Sequence, residues 1–420
     1  MSTYVRRIID QTLDELQPQL RATALEGPKA VGKTATAARR AATVLSLDLA
    51  SQRALLEADP EILMKLPGPI LVDEWQRLPA SWDYIRRAVD AGAPPGHFIL
   101  AGSALPRRAA IHSGAGRIVP LRMRPLSLAE RGLDKPSVSL ADLLTGKAEV
   151  SGRTTVRLAD YVQEIIASGL PGLRGSGPRA LRAELDAYIE NAVSREFVQQ
   201  GYAVRKPDTL RAWLTAYAAA TATTTSYTSI LDAATPNLPD KPAKETVGSY
   251  REALASLWLL DPLPAWTPTH NHLKRLGMAA KHNLADPALA ARLLGFDLAN
   301  LLTGDARTTK GDPMLGALFE SLITLSVRTY AERAEARVYH LRTNGGAHEV
   351  DLIVQRPDGR VVAIEVKLRA GPRSDDARHL AWLKRTIGDD LLASVIVTTG
   401  QQAYTQPDGV VVVPAALLGP

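Results

Sequence analysis

The chain has 420 residues, of which 45% are hydrophobic and 22% are charged, a balance typical of globular proteins with two or three domains. It contains no cysteine, which excludes disulfides, thiolate nucleophiles and cysteine-ligated zinc sites. The 50 basic and 44 acidic residues give a net charge of +6, which is compatible with a nucleic-acid partner without requiring one. The sequence has neither a signal-peptide pattern nor an uncharged apolar run of about 18 residues, so we expect a cytoplasmic protein without a membrane span.

The N-terminal part of the chain, assigned to residues 1–150, alternates apolar runs with helical patterns. This alternation predicts an α/β domain in which helices cover a parallel sheet. A charged and less periodic segment, residues 133–153, predicts a linker to the next domain. The predicted strands lie within residues 23–27, 42–50, 68–74 and 96–104.

A phosphate-binding loop follows the first predicted strand. Residues 27–34 read GPKAVGKT, which matches the pattern G-x-x-x-x-G-K-[ST], and a helical pattern follows. The two glycines allow backbone N–H groups to face phosphate oxygens, Lys33 is expected to contact the β- and γ-phosphates, and Thr34 is expected to bind Mg²⁺. The sequence therefore predicts ATP and Mg²⁺ as ligands. The predicted nucleotide-binding residues of this loop are Gly27, Pro28, Lys29, Ala30, Val31, Gly32, Lys33 and Thr34.

Beyond the phosphate-binding loop, the chain has four candidate residues that could complete an ATPase site. Asp73 and Glu74 end an apolar strand, so Asp73 is predicted to hold Mg²⁺ and Glu74 to polarise the attacking water. Ser103 ends the next strand, where it could sense the γ-phosphate or simply belong to a turn. Arg117 could act as an arginine finger, in trans within an oligomer, or could be an ordinary loop arginine.

Residues 151–300 are mostly helical, and residues 226–266 have a different rhythm. Two short helices are followed by an extended piece, an order that indicates a winged helix-turn-helix. Its second helix carries few basic residues, among them Lys244 and Arg251. Phosphate contacts come mainly from Lys and Arg, so both DNA contact and a purely structural joint remain open for this unit.

Several of these segments together resemble a known family. The runs GPKAVGKT, ILVDEWQRLP, FILAGSA, GRIVPLRMRPLSLAE and ASGLPG, the segment KHNLADPAL and the final HEVDLIV…IEVK are similar to those of AAA-type ATPases of bacteria and archaea. In that family a P-loop domain leads to a winged helix and to a C-terminal domain of unknown function with a restriction-endonuclease-like, PD-(D/E)xK fold. The resemblance implies ATP turnover, and roles linked to DNA, defence or toxin–antitoxin settings.

Residues 301–420 return to an α/β pattern, with the order helix, three strands, helix, strand. Pro357, Asp358 and Gly359 suit a three-residue hairpin turn between the second and third of these strands. This turn pairs Arg356 with Arg360. Counting back along the strands places an aliphatic set of side chains on one face, which supports the register because a slip by one residue would scramble that face.

The same register places Asp351 opposite Glu365, with Lys367 on the same face. Two carboxylates this close repel each other unless a cation lies between them, and a divalent metal would serve. The pattern is that of metal-dependent nucleases, in which the resemblance adds a carboxylate on the first helix, here Glu320. Alternatively, Lys367 neutralises the two carboxylates and the domain only binds a partner.

Two functions follow from these predictions. The first is an enzyme that couples ATP hydrolysis to DNA handling, with or without metal-dependent nuclease activity of its own at Glu320, Asp351, Glu365 and Lys367. The second is a nucleotide-dependent switch whose C-terminal domain binds a protein or DNA partner.

Overall fold

The computed structural model describes residues 4–104, 114–196, 207–236, 244–268, 278–303 and 313–420. Two sheets dominate these residues, a five-stranded one near the N-terminus and a seven-stranded one near the C-terminus. Helices pack between and around them. The α-helices are Ile8–Leu16, Lys33–Ala38, Ala50–Ala58, Ile62–Lys65, Ala80–Asp90, Leu128–Arg131, Leu140–Thr145, Leu158–Ile166, Pro178–Asn191, Pro207–Ala219, Tyr227–Ala234, Lys244–Ser256, Pro287–Leu293, Leu298–Thr303, Pro313–Arg333 and Arg378–Ile387.

The N-terminal sheet consists of β1 Ala22–Glu26, β2 Thr43–Ser46, β3 Ile70–Asp73, β4 Phe98–Gly102 and β5 Ile118–Arg122. It is parallel, and its order is β2-β3-β4-β1-β5. Its central strands are fully buried, which explains their continuous apolar runs. The four predicted strands are present. The fifth was not predicted, because Pro120 interrupts its apolar pattern and Arg122 ends it, and it forms an edge of the sheet, where proline is tolerated.

The C-terminal sheet consists of β7 Ala265–Trp266, β8 Arg337–Arg342, β9 Glu349–Gln355, β10 Val361–Lys367, β11 Leu391–Thr398, β12 Tyr404–Thr405 and β13 Val411–Pro414. It is mixed, with the order β12-β13-β11-β10-β9-β8-β7. The helices Pro313–Arg333 and Arg378–Ile387 and the strands β8 to β11 follow the predicted order. A short strand from the middle region, β7, is added at the edge beside β8.

The segment 133–153, predicted as a linker, packs against the C-terminal sheet instead. It contains a short strand, β6 Val138–Ser139, which pairs in parallel with β14 Leu418–Gly419 near the end of the chain. In the helix Leu140–Thr145 that follows, three leucines are buried in the same core as the C-terminal strands. The charged residues of the segment hid this short amphipathic element, so the linker prediction was wrong.

The middle region contains the two helices predicted for a winged helix, Tyr227–Ala234 and Lys244–Ser256. After them the chain is extended, and isolated antiparallel bridges join Leu260 to Leu284 and Leu263 to Lys281. The assignment as a winged helix stays a prediction. None of the described helices combines the length and the apolar character that crossing a bilayer requires.

Candidate functional site

The loop after β1 has the backbone shape that phosphate binding needs. Gly32 has φ +102° and Ala30 has φ +61°, so the chain turns sharply before the helix Lys33–Ala38. A Cβ atom at Gly27 would lie 2.1 Å from the carbonyl oxygen of Met123, so only glycine fits there. These constraints produce a curled loop at the carboxyl edge of the parallel sheet.

Lys33 and Thr34 point toward the middle of this edge. The buried ammonium of Lys33 donates to the carbonyl oxygens of Gly27 and Pro28, both at 2.8 Å. The hydroxyl of Thr34 donates to both carboxylate oxygens of Asp73, at 2.9 and 3.1 Å. Burial lowers the pKa of Lys33 to about 8, although the charges of Glu74 and Asp73 oppose the shift.

Glu74 and Ser103 are brought together by Gln76, which the sequence analysis did not single out. The amide nitrogen of Gln76 donates to Oε2 of Glu74 at 2.5 Å and to Oγ of Ser103 at 3.2 Å. Glu74 itself has φ +52°, a strained conformation that turns the chain sharply after β3. Because β4 lies between β1 and β3, Ser103 is at the same carboxyl edge as the P-loop.

The other loop residues face different partners. Lys29 is exposed and pairs with Glu196 at 3.0 Å. Val31 is buried, and its carbonyl oxygen accepts a hydrogen bond of 2.8 Å from Arg7. Arg7 also pairs with Glu130 at 2.9 Å. Glu130 is the last residue of the run GRIVPLRMRPLSLAE, so Arg7 connects this run to the phosphate-binding loop.

Arg117 lies far from the phosphate-binding edge of its own chain. It precedes β5, and because β5 is parallel to β1, the N-terminal end of β5 is at the opposite edge of the sheet from the P-loop. Its guanidinium pairs with Asp90 at 2.9 Å and is 47% exposed. Any role as an arginine finger is therefore limited to action in trans, in a neighbouring copy.

A different arginine of the same run lies near the loop. Arg122 ends β5 beside Glu26 of β1, stacks over the ring of Trp258 at 3.9 Å, and lies 3.6 Å from the carboxylate of Asp261. Its charge contributes to lowering the pKa of Lys33. Burial lowers the pKa of Arg122 itself, to about 10, and Asp261 only partly offsets this shift.

Asp261 is the centre of a buried ion cluster that joins three parts of the chain. Besides Arg122, it accepts from Arg124 at 2.8 Å and pairs with Arg328 of the helix Pro313–Arg333 at 3.2 Å. Arg124 also pairs with Glu332 of the same helix. Burial raises the pKa of Asp261, but the three arginines outweigh it and hold the pKa well below its usual range. The charged cluster therefore connects the P-loop sheet to the C-terminal helix.

The C-terminal hairpin has the predicted register. Arg356 donates to the carbonyl oxygen of Arg360 at 2.9 Å, Gly359 has φ +91°, and Leu352 pairs with Ile364. Beyond that pair the ladder opens, because the amide of Val366 donates to a carboxylate oxygen of Asp351 at 2.9 Å. The same register places Asp351 across from Glu365.

A lysine of the middle region lies beside Asp351 and two other carboxylates. The ammonium of Lys281 lies 2.8 Å from Glu320, 3.0 Å from Glu349 and 3.2 Å from Asp351, and its side chain is 2% exposed. Neither Lys281 nor Glu349 had been predicted for this site. Among the described residues no group of three or more His, Asp or Glu side chains is arranged to hold a metal ion.

A second lysine, Lys367, pairs with the remaining carboxylate, that of Glu365. It pairs with Glu365 at 2.6 Å and lies 3.8 Å from Asp351. Burial and the charge of Asp351 raise the pKa of Glu365 well above its usual value. The predicted metal ligands Glu320, Asp351 and Glu365 are thus close together, with Lys281 between Glu320 and Asp351 and with Lys367 beside Glu365. Oε1 of Glu365 is buried and has no hydrogen-bond partner among the described residues. The assignment of the three carboxylates as metal ligands stays a prediction.

Comparisons with known protein families divide the chain into three parts. Residues 19–131 match the family model described as an AAA domain, which supports ATP binding by the N-terminal sheet. Residues 158–300 and 315–418 match two domains of unknown function, DUF8612 and DUF4143. The nuclease-like identity of the C-terminal part is not shown by these matches.

Whole-chain relatives carry no functional description. Uncharacterized proteins of Mycobacterium bovis and Mycobacterium tuberculosis are each 27% identical over 401 residues, covering 93% of this chain and 79% of theirs. Among solved structures, the Walker-type ATPase of Pyrococcus abyssi has a TM-score of 0.39 at 14% identity, over 68% of this chain and 94% of that one. The ORC2 protein of Aeropyrum pernix has a TM-score of 0.27 at 14% identity, over 70% and 91%. These TM-scores are too low to establish a shared fold or function.

Proposed function

We propose that the protein is a Mg²⁺-dependent ATPase. The observation that carries this proposal is the joint geometry of Lys33, Thr34 and Asp73 at one edge of a parallel sheet. The Thr34 hydroxyl and the Asp73 carboxylate are hard oxygen donors that already face each other, which suits Mg²⁺. When bound, Mg²⁺ supplies charge neutralisation at the β- and γ-phosphates.

Lys33 provides the phosphate contact in this proposal. Its ammonium has three N–H donors, and it now bonds two backbone carbonyl oxygens. A bound γ-phosphate gives these donors an anionic partner that two neutral carbonyls do not provide. The lowered pKa of Lys33 is consistent with an ammonium that lacks close negative partners.

Glu74 is proposed to orient the attacking water and to accept its proton. The water oxygen forms a bond to the γ-phosphorus, the bond from that phosphorus to the bridging oxygen breaks, and ADP and phosphate result. Gln76 holds Oε2 of Glu74 and so leaves Oε1 for the water. We assign Gln76 and Ser103 as positioning residues, because they act on the water through Glu74.

Two substitutions test this function separately for binding and for turnover. Lys33→Ala is expected to abolish ATP binding in calorimetry, and Glu74→Gln is expected to keep binding while lowering kcat by about 10²–10⁴-fold. Lys65→Ala is the matched control, because Lys65 is an exposed lysine that pairs with Asp59 at the surface. Unchanged ATP affinity in Lys33→Ala would contradict the proposal.

We further propose that nucleotide state is coupled to the C-terminal domain, as in a switch. The Asp261 cluster favours this function, since it links Arg122 at the carboxyl edge of the ATPase sheet to Arg328 and Glu332 of the helix Pro313–Arg333. Networks of buried charges with alternative pairings are able to carry such coupling. This proposal includes the binding of a partner, a protein or DNA, by the C-terminal domain.

Hydrogen exchange tests the coupling directly. Amides of the helix Pro313–Arg333 are expected to change their exchange rates when the Glu74→Gln protein binds ATP, and Asp261→Asn is expected to remove the change. Asp186→Asn is the control, because it breaks an Arg–Asp pair, with Arg292, that lies outside the cluster. Identical exchange with and without ATP would exclude the switch.

A further inference from the structure

A buried lysine in the carboxylate pocket of the C-terminal domain already has a full set of partners. The ammonium of Lys281 has three N–H donors and three carboxylate partners, on Glu320, Glu349 and Asp351, each within 3.2 Å. Both oxygens of Asp351 are used, since the second one accepts from the amide of Val366. This arrangement satisfies the lysine completely, and such complete pairing is what a buried charge requires.

Lys281 is fixed in this position by its backbone. Its amide donates to the carbonyl oxygen of Leu263 and its carbonyl accepts from the amide of Leu263, both at 2.9 Å. The next residue, His282, bonds to Thr223 through its amide at 2.8 Å and to Thr225 through its ring at 2.7 Å. Lys281 is therefore part of a hydrogen-bonded segment of the middle region, and its ammonium is a built-in member of the pocket.

A divalent ion and this ammonium compete for the same space. Oxygen ligands lie about 2.0–2.6 Å from Mg²⁺ or Ca²⁺, so an ion bound by Glu320, Glu349 and Asp351 together would have to take the position of Nζ. Two cations that close repel strongly in a buried pocket. On the other side of Asp351, Lys367 adds a second positive charge beside Glu365.

We propose that Lys281 supplies, from within the chain, the cation that these carboxylates require, and that the pocket therefore takes no divalent metal ion. The pocket is an internal ion cluster that fastens the segment 278–285 of the middle region to the C-terminal sheet. It follows that removal of the Lys281 side chain converts this pocket into a divalent-cation site.

Mn²⁺ binding to the full chain without nucleotide tests the proposal. Paramagnetic resonance of free Mn²⁺ is compared for the wild type, Asp351→Asn, Lys281→Met and the double variant Lys281→Met/Asp351→Asn. The wild type and Asp351→Asn are expected to bind Mn²⁺ alike, because Asp351 is already paired. Lys281→Met is expected to gain one site, about 10-fold or more tighter than any in the wild type, that the double variant lacks.

Thermal unfolding provides a second readout, and Lys281→Gln a second variant should Lys281→Met fail to fold. Mn²⁺ is expected to raise the Tm of the folded Lys281 variant and not that of the wild type, because binding to the native state stabilises it. Wild-type Mn²⁺ binding that Asp351→Asn removes would overturn the proposal. Mn²⁺-dependent DNA or RNA cleavage that both Asp351→Asn and Lys367→Met abolish would overturn it too, as would a folded Lys281 variant that gains no site.

Discussion

Lys33 and Lys281 are both buried lysines beside carboxylates, yet their ammonium groups have different partners. Lys33 bonds two backbone carbonyl oxygens and forms no ion pair among the described residues. Lys281 pairs with three carboxylates. In the first site the carboxylate of Asp73 accepts from the hydroxyl of Thr34 and not from Lys33. In the second site the carboxylates pair with the lysine itself.

The pKa values of the two lysines shift in opposite directions. Burial lowers the pKa of Lys33 to about 8, and the more distant Glu74 and Asp73 do not compensate. Burial also disfavours the charge on Lys281, but Asp351, Glu320 and Glu349 outweigh it and raise its pKa above the usual value. The first site therefore still attracts an anion such as phosphate, whereas the second already holds a cation of its own.

The largest expected effect comes from making one substitution at both lysines. Lys281→Met leaves buried carboxylates without their cation, which is expected to lower the free energy of unfolding by about 3–5 kcal/mol. Lys33→Met removes an ammonium that has only neutral partners, so without nucleotide we expect a change within about 1 kcal/mol. Urea unfolding of the two variants measures the difference. Equal losses of stability would contradict the contrast between the sites.

A smaller effect is expected from acid, at a histidine beside Lys281. His340 is completely buried, and burial together with the charge of Lys281 lowers its pKa to about 4, with Arg342 acting in the same direction and Glu349 against it. The unfolded chain has a histidine pKa of about 6.5, so below that pH it binds a proton that the folded protein does not bind until about pH 4. The contribution of His340 to stability is therefore complete above pH 6.5 and is lost between pH 6.5 and 4, by roughly 3 kcal/mol at most.

Urea unfolding at several pH values between 7.5 and 4.5 measures this loss. His340→Gln is expected to flatten part of the slope, because the glutamine amide does not titrate. His282, whose pKa burial also lowers, accounts for part of the remainder. A His340→Gln protein with the wild-type slope would show that the proton is not excluded at this position.

The two sites also differ in how much of them the sequence predicted. The P-loop motif and the acidic pair are local, and the hairpin register follows from the turn at Gly359 and the aliphatic face, so Asp351 and Glu365 were located correctly. Lys281 lies 70 residues before Asp351, and only the tertiary fold brings them together. The same reason hid Asp261 from prediction. Gln76 was easier to identify from the sequence, because it follows the predicted catalytic residue Glu74 by two positions.

A third prediction concerns how Glu74 is held in the ATPase site. Gln76→Ala removes the hydrogen bond to Oε2 of Glu74, so the carboxylate gains freedom and kcat is expected to fall by about 10-fold with little change in KM. Gln76→Glu places a second negative charge beside Glu74 and is expected to lower kcat further than Gln76→Ala does. Steady-state ATPase assays measure both. A rise in KM with unchanged kcat would instead assign Gln76 to nucleotide binding.

The smallest effect is expected at Arg117, and it bears on oligomerisation. Arg117 lies at the opposite edge of the sheet from its own P-loop and pairs with Asp90, so in a dilute, monomeric sample Arg117→Ala is expected to change kcat by less than about 2-fold. If wild-type kcat rises with protein concentration, an arginine finger acting in trans predicts that Arg117→Ala removes that rise. Addition of excess Glu74→Gln chains, which keep Arg117, is then expected to restore the turnover of Arg117→Ala. A kcat that is lowered in Arg117→Ala at every concentration would mean that Arg117 reaches the phosphates of its own chain, against the parallel pairing of β1 and β5.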